Sequence, residues 1–236
     1  MVARDFEYRH RFWIMLLVYA AAYAFYNLDP LNILYSIVPW NRGVVEKDML
    51  VRFLYAAAAL AAAAGAMLLT WATAWRPQAT NAQSATFPAL SMGGPFRYAR
   101  NPHYVAYFLL ILALGTFQSR TGFPIMLLGE TIFLLRLVNY EETRLAQEYG
   151  EAFRDYANRV PRLWPSRHGR VPEDSSRPSW PQAVWKNAFQ WGFVLTLLAF
   201  AFTLSDPVGY RFAGATLLLV LLQTLFQALF MRSRAA

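Results

Sequence analysis

The 236-residue chain has no cysteine, which excludes disulfides, thiolate metal sites and a cysteine nucleophile. Charge is scarce as well. Charged residues make up 15% of the chain against 57% hydrophobic and 17% aromatic, too little polar material to cover a soluble globule of this size. A membrane protein is therefore expected. Period-two alternation is missing too, which sets aside a transmembrane barrel and leaves helices, whose backbone groups bond within their own segment. The three histidines, His10, His103 and His168, are dispersed without metal spacing, and neither H-E-x-x-H nor a P-loop occurs, so no metal is expected. "MGGPF" at 92–96 lacks the strand context of a dinucleotide-binding turn.

What is present is a series of apolar runs, most of them near the roughly 20 residues that a 30 Å hydrocarbon core demands. They lie at about 12–28, 49–75, 102–117, 123–138, 183–204 and 212–230. The first follows a mixture of acids and bases and runs on past Ala20-Ala21-Ala22, as in a retained anchor rather than a cleaved signal peptide. In the second, Ala57, Ala61 and Gly65 predict a small-residue stripe for close helix packing. The third and fourth, each about 24 Å long as helices, read as a short hairpin joined by "QSRTG". Residues 140–160 form a charged amphipathic helix with Leu145, Tyr149, Phe153 and Tyr156 on one face, expected to lie on the membrane surface. A stretch with five prolines between Pro161 and Pro181 predicts a linker of low regular structure.

The expected fold is all-α: a polytopic bundle of about six transmembrane helices with a helical hairpin and a cytoplasmic amphipathic helix. Its parts are N-terminal spans at 1–80, a core at 81–165, a linker at 166–182 and a C-terminal helix pair at 183–236. The net charge of +8 reports topology rather than nucleic-acid binding, because Lys and Arg gather in a few loops and form no basic aromatic face. Six crossings put both termini on one side, with Arg97, Arg100 and seven arginines between Glu141 and Pro181. The positive-inside bias makes that side cytoplasmic, in an inner or cytoplasmic membrane.

"RYARNPHY" and "YEETR" then share the cytoplasmic face at opposite ends of one hairpin. Pro102 suits a first helical turn and Asn101 a capping position, so free N–H groups there favour an anion. Glu148 and Asp155 have Arg144 and Arg159 four residues away, whereas Glu142 has no cation at its helical neighbour positions and Glu141 has Arg144 at i+3. At least one of these two carboxylates is expected to be available to a cationic centre or to ribose hydroxyls. Glu130 and Arg136 lie inside the fourth run, where ionisable groups face a cavity or one another. Arg136, one turn from Glu141, is placed to meet an acidic substrate.

With these residues in hand, 81–165 resembles the isoprenylcysteine carboxyl methyltransferase and phospholipid methyltransferase superfamily of integral membrane enzymes. The match rests on Gly94-Pro95-Phe96, Arg100-Asn101-Pro102-His103-Tyr104, the hairpin, Glu141-Glu142, Tyr149-Gly150, Tyr156 and Val160-Pro161. The resemblance implies S-adenosylmethionine as methyl donor, held on the cytoplasmic side by Pro88, Ala89, Leu90, Ser91, Phe96, Arg100, Asn101, Pro102, His103, Tyr104 and Glu141. It also implies a lipid-like or small hydrophobic acceptor arriving from the bilayer, with Arg136 to orient an acid and Glu142 or Glu130 to accept a proton from an amine, which makes these three the candidate catalytic residues. Two positions depart from the carboxyl methyltransferase pattern: Asn101 stands where those enzymes have histidine, and Leu137 aligns with their substrate-orienting arginine, beside Arg136. An NADPH-dependent enzyme like the sterol reductases is the alternative, and a non-catalytic scaffold or transporter a third reading. "EETRL" in place of Asp-Glu-Arg-Cys, and the lack of Gly/Pro-broken inverted repeats, favour the methyltransferase.

Overall fold

Helices dominate the computed structural model, which describes residues 1–39, 41, 43–76, 90–173 and 177–232, and no strand occurs among the described residues. The all-α expectation holds. In chain order the elements are α1 (Asp5–Arg9), α2 (Arg11–Tyr23), α3 (Ile33–Ile37), α4 (Val44–Trp75), α5 (Pro102–Leu114), α6 (Gly122–Arg159), α7 (Trp180–Lys186), α8 (Ala188–Thr203) and α9 (Asp206–Arg232). By length and composition α4 (32 residues) and α6 (38 residues) are each able to cross a membrane, while α5 with its 3₁₀ extension to Phe117, and α8, are shorter apolar helices. α2 has 13 residues and continues as a 3₁₀ turn to Asn27.

Two apolar clusters build the bundle. In one, Val51, Tyr55, Ala59, Ala62 and Ala66 of α4 meet Ala113 of α5 and Val194, Leu197 and Phe200 of α8. In the other, Ala22 of α2 meets Tyr104 and Ile111 of α5 and Met126, Phe133, Leu134, Leu137 and Val138 of α6. The small-residue face of α4 is not the one the sequence spacing predicts: Ala57 is exposed, and the buried small residues are Ala59, Ala62, Gly65 and Ala66. A strict step of four drifts about 40° per step round a helix of 3.6 residues per turn, so a stripe stays on one face by mixing steps of three and four. Gly65 is a point of close approach, since a Cβ there would lie 2.9 Å from the Ala106 carbonyl oxygen of α5.

The hairpin tip is fastened from the N-terminal side. Ile33 N–H donates to the Gln118 carbonyl at 3.0 Å, Arg120 N–H to Leu31 at 2.8 Å, and Arg120 Nε lies 3.1 Å from the Asp29 carboxylate. Beyond the tip, α6 runs from the hairpin straight into the charged segment, so the fourth apolar run and the amphipathic helix are one element. It breaks at Gly150, whose φ of 50° and ψ of −119° belong to backbone that glycine alone adopts readily. The apolar face past the break does not seek the membrane surface: Phe153 and Tyr156 pack with Val160 and Val171, and with Leu90 from the loop before α5. The proline-rich stretch is fastened too. Arg100 N–H donates to the Pro161 carbonyl, Asn101 N–H to Arg162, Ser166 N–H to Tyr98 and Arg170 N–H to Arg97, so 161–170 is bonded along the approach to α5.

Candidate functional site

Where α4 ends and α5 begins, a narrow cleft opens against α6. It is lined by Arg76, Leu90, Ser91, Phe96, Arg100, Asn101, His103, Tyr104, Glu141, Glu142, Leu145, Phe153 and Tyr156, and holds about 460 Å³ free of atoms, part of it open to the outside. The space inside that the centre of a water-sized sphere can reach is only about 30 Å³, so the cleft is narrow as it stands and a small molecule entering it must widen it. Local structure explains its walls. Gly93 and Gly94, with φ of 52° at Gly94, lie flat under the Trp75 indole, where any Cβ would come within 2.3–2.6 Å of the ring. The glycine pair of "MGGPF" therefore serves packing. Ser91 Oγ donates to the Trp75 carbonyl at 2.9 Å, and Tyr156 donates its phenolic proton to the Phe96 carbonyl at 2.8 Å, closing the loop over the cleft. Phe96 and His103 face each other with ring centroids 5.6 Å apart.

The adjacent carboxylates differ sharply. Glu142 accepts from Arg100 Nε at 3.1 Å and Asn101 Nδ2 at 2.8 Å on one oxygen, and Arg162 Nε lies 3.0 Å from the other. The helical neighbours of Glu142 offer no cation, yet two arrive from outside its helix, so this carboxylate is committed to the protein. Glu141, 9% exposed, accepts a hydrogen bond at 2.8 Å from the neutral phenol of Tyr8. Burial, and then the negative charge of Glu141, push the Tyr8 phenol above its ordinary pKa, which keeps it a proton donor. Asn101 occupies the N-cap position of α5 but makes no side-chain cap; its amide hydrogens go to Glu142 and, at 3.1 Å, to the Arg162 carbonyl.

Of the residues singled out in the sequence, Leu90, Ser91, Phe96, Arg100, Asn101, His103, Tyr104, Glu141 and Glu142 meet in this cleft. Pro102 is fully buried at the first turn of α5, behind the lining. Pro88 and Ala89 lie outside the described residues. Arg136 and Glu130 are not in the cleft. Arg136 makes a forked pair with Glu7 of α1, 2.7 Å to each oxygen, in place of the acidic substrate expected for it. Glu130 is 3% exposed, with Oε2 lacking a hydrogen-bond partner among the described residues. Eleven residues before Glu141 on α6, it lies about 16 Å deeper along the helix axis. Sequence reasoning missed Arg76, Arg162 and Tyr8 as site residues, and treated Leu145 and Phe153 only as an amphipathic face, with Tyr156 placed on that face and in the family pattern.

Fold and site together define an all-α membrane protein with a mixed-charge cleft at one end of its bundle. Residues 53–152 match the model of a family described as phospholipid methyltransferase. The match runs from the first turns of α4 through the cleft to just past Gly150, and agrees with the superfamily resemblance read from 81–165. It supports a membrane methyltransferase acting on phospholipid-like molecules. It spans fewer than half of the residues and leaves out α1, α2 and everything after 152. Neither the curated proteins nor the solved structures give a match.

Proposed function

We propose that the cleft binds S-adenosylmethionine and that the protein transfers its methyl group to a lipid or lipid-tailed small hydrophobic acceptor, at a carboxylate or an amine. The observation carrying this reading is that nine residues, named from widely separated stretches of sequence, line one cleft together with Arg76. The donor set fits the cofactor. A zwitterionic amino acid joined to a ribose calls for a cation, a carboxylate and flat apolar walls, and the cleft has Arg76, Glu141 and the Phe96 and His103 rings.

The bound cofactor supplies a methyl group that is already electrophilic on its sulfonium. The protein's task is then alignment and exclusion of water. In this reading Glu141 accepts from the ribose hydroxyls or the amine, Arg76 takes the amino-acid carboxylate, and the first turn of α5 from Pro102 to Tyr104 forms the floor. Leu90, Ser91, Phe96 and the apolar face of Leu145, Phe153 and Tyr156 keep water out. Glu142 acts as a positioning residue: with Arg100, Asn101 and Arg162 it ties α5, α6 and the 161–170 strap into one frame. Glu130 lies too deep to touch a group held at Glu141. Both termini and the cleft face the cytoplasm of an inner or cytoplasmic membrane, and the acceptor arrives from the bilayer.

Calorimetry on the detergent-purified protein tests this. S-adenosylhomocysteine binds to the unmodified chain, and Glu141→Ala and Tyr104→Ala each abolish the signal. Binding of NADPH with no S-adenosylhomocysteine signal overturns the assignment in favour of a reductase.

A further inference from the structure

α1 has five residues, too few to hold together as an isolated helix in water. It is held by α6. Ala3 N–H donates to the Arg136 carbonyl at 3.2 Å, Glu7 pairs with the Arg136 guanidinium, Asn139 Nδ2 donates to the Met1 carbonyl at 2.7 Å, and the Tyr140 hydroxyl donates to Asp5 at 2.8 Å. Tyr8 completes the series by packing its ring against Tyr140, centroids 4.8 Å apart and tilted by 30°, and reaching past it to Glu141. Two contacts from α1 and two from the residues just before it thus fix the N-terminal segment along residues 136–140, and one more extends from the helix to a carboxylate of the cleft. The tyrosine lies 133 residues from its partner and outside the region that matches the family.

We infer that Tyr8 is a positioning residue for the cofactor cleft: its phenol holds one oxygen of Glu141 and so aims the other at the ligand. The inference rests on the cofactor reading above. A glutamate side chain has three rotatable bonds, and without a partner its carboxylate swings between solvent and cleft; a charge-assisted hydrogen bond from a phenol whose ring is itself packed against Tyr140 removes that freedom before the ligand arrives. The phenol suits the task because it is a neutral donor. It orients the carboxylate without cancelling the charge that a ligand amine or ribose would seek. Arg100 and Arg162 do the opposite at Glu142, one residue on. Tyr8 bonds Glu141 through its hydroxyl, which Tyr8→Phe removes while keeping the ring, so the role is separable from packing.

The test compares S-adenosylhomocysteine affinity by calorimetry for the full-length wild type, Tyr8→Phe, Glu141→Gln and the double variant. Tyr8→Phe keeps the ring pair with Tyr140, and its fold is checked by circular dichroism. Affinity is expected to fall about tenfold in Tyr8→Phe, the size of a lost hydrogen bond to a charged group. In the Glu141→Gln background the same change is expected to cost about twofold or less, because the charge it orients is gone. Asp5→Ala removes the neighbouring tether and leaves the phenol, and changes affinity by less than about twofold. Equal losses from Tyr8→Phe in both backgrounds, or a loss from Asp5→Ala as large as that from Tyr8→Phe, would mean that α1 acts through general packing, and would overturn the inference. Unchanged or tighter binding in Tyr8→Phe overturns it too. A wild type that binds no S-adenosylhomocysteine overturns the cofactor reading, and the inference with it.

Discussion

Glu141 and Glu142 are neighbours on α6 with opposite surroundings: a neutral phenol meets the first, and two guanidinium groups and an amide meet the second. Counting helical neighbours finds partners on the same helix at three and four residues' distance. It identifies the pair as unusual, but it is blind to Arg100 and Arg162, which reach Glu142 from the start of α5 and from the strap after α6. Asn101 had the same fate: its place at the helix start was legible, and the direction of its side chain was not. It donates to Glu142 instead of accepting from the helix. The energetic consequence falls on Glu142. Removing it leaves two guanidinium groups and one amide around a partly buried gap, and breaking such a pair costs more than the pair contributes when intact. Glu142→Ala is expected to lower stability by about 2–3 kcal/mol, less than for a fully buried pair because its side chain keeps 15% exposure. Glu142→Gln, which still accepts from Asn101, should lose about half of that. Thermal unfolding in detergent measures both; melting points equal to wild type would mean that solvent already screens the cluster.

At the scale of elements, two joints govern how the cleft is assembled. The first is the docking of α1. The carboxyl of Glu7 is held below its ordinary value of 4.5, first by the hydrogen bond from the Arg4 backbone N–H and further by Arg136, against the opposing effect of burial. A depressed carboxyl pKa contributes stability that is fully present above the ordinary value and disappears as pH falls through it toward the lower, folded value. Docking of α1 should therefore hold at neutral pH and weaken below about pH 4.5. Because the chain has no cysteine, Phe6→Cys on the exposed side of α1 gives a single attachment point for a spin label. Its spectrum should sharpen as pH drops from 6 to 3.5, and should already be sharp at pH 7 in the Arg136→Ala background; a spectrum indifferent to both would show that the pair does not hold the helix. The second joint is Gly150. The spacing of Leu145, Tyr149, Phe153 and Tyr156 makes an amphipathic helix legible, but periodicity does not say which surface an apolar face covers, and here it folds back over Leu90 and the cleft. A side chain at φ 50°, ψ −119° costs about 1–3 kcal/mol in strain, although a Cβ would meet no neighbouring atom. Gly150→Ala should thus relax toward continuous helix and swing Phe153 and Tyr156 away from the cleft. We expect S-adenosylhomocysteine affinity to fall by about tenfold or more with the helical circular dichroism unchanged; undiminished affinity would mean that the break tolerates a side chain.

For the whole molecule, composition alone was enough to indicate helices in a membrane, because scarce charge and missing alternation leave few other solutions. What composition cannot give is the order in which the helices pack: α4 lies between α5 and α8, α2 lies on α6, and α9 packs on α8. The orientation proposed for the bundle rests on charge. The 97–101 approach to α5, the strap at 161–170 and the N-terminal segment bonded to 136–141 all gather at the cleft end, and all are rich in arginine. The other end, where Asp29, Arg120 and the hairpin tip meet, carries far less positive charge. If the six apolar runs each cross, Val2 and His168 share the cleft side while Asn27 and Ser205 share the other. The cysteine-free chain makes this directly readable. Val2→Cys and His168→Cys should react with a membrane-impermeant maleimide only after the cells are opened, whereas Asn27→Cys and Ser205→Cys should react on intact cells. Labelling of Val2→Cys and Asn27→Cys from the same side would mean that α2 does not cross. Labelling of His168→Cys on intact cells would put the cleft outside the cytoplasm, away from the compartment in which S-adenosylmethionine is expected to be met. The first outcome would alter the count of crossings and leave the proposed chemistry in place; the second would remove its methyl donor.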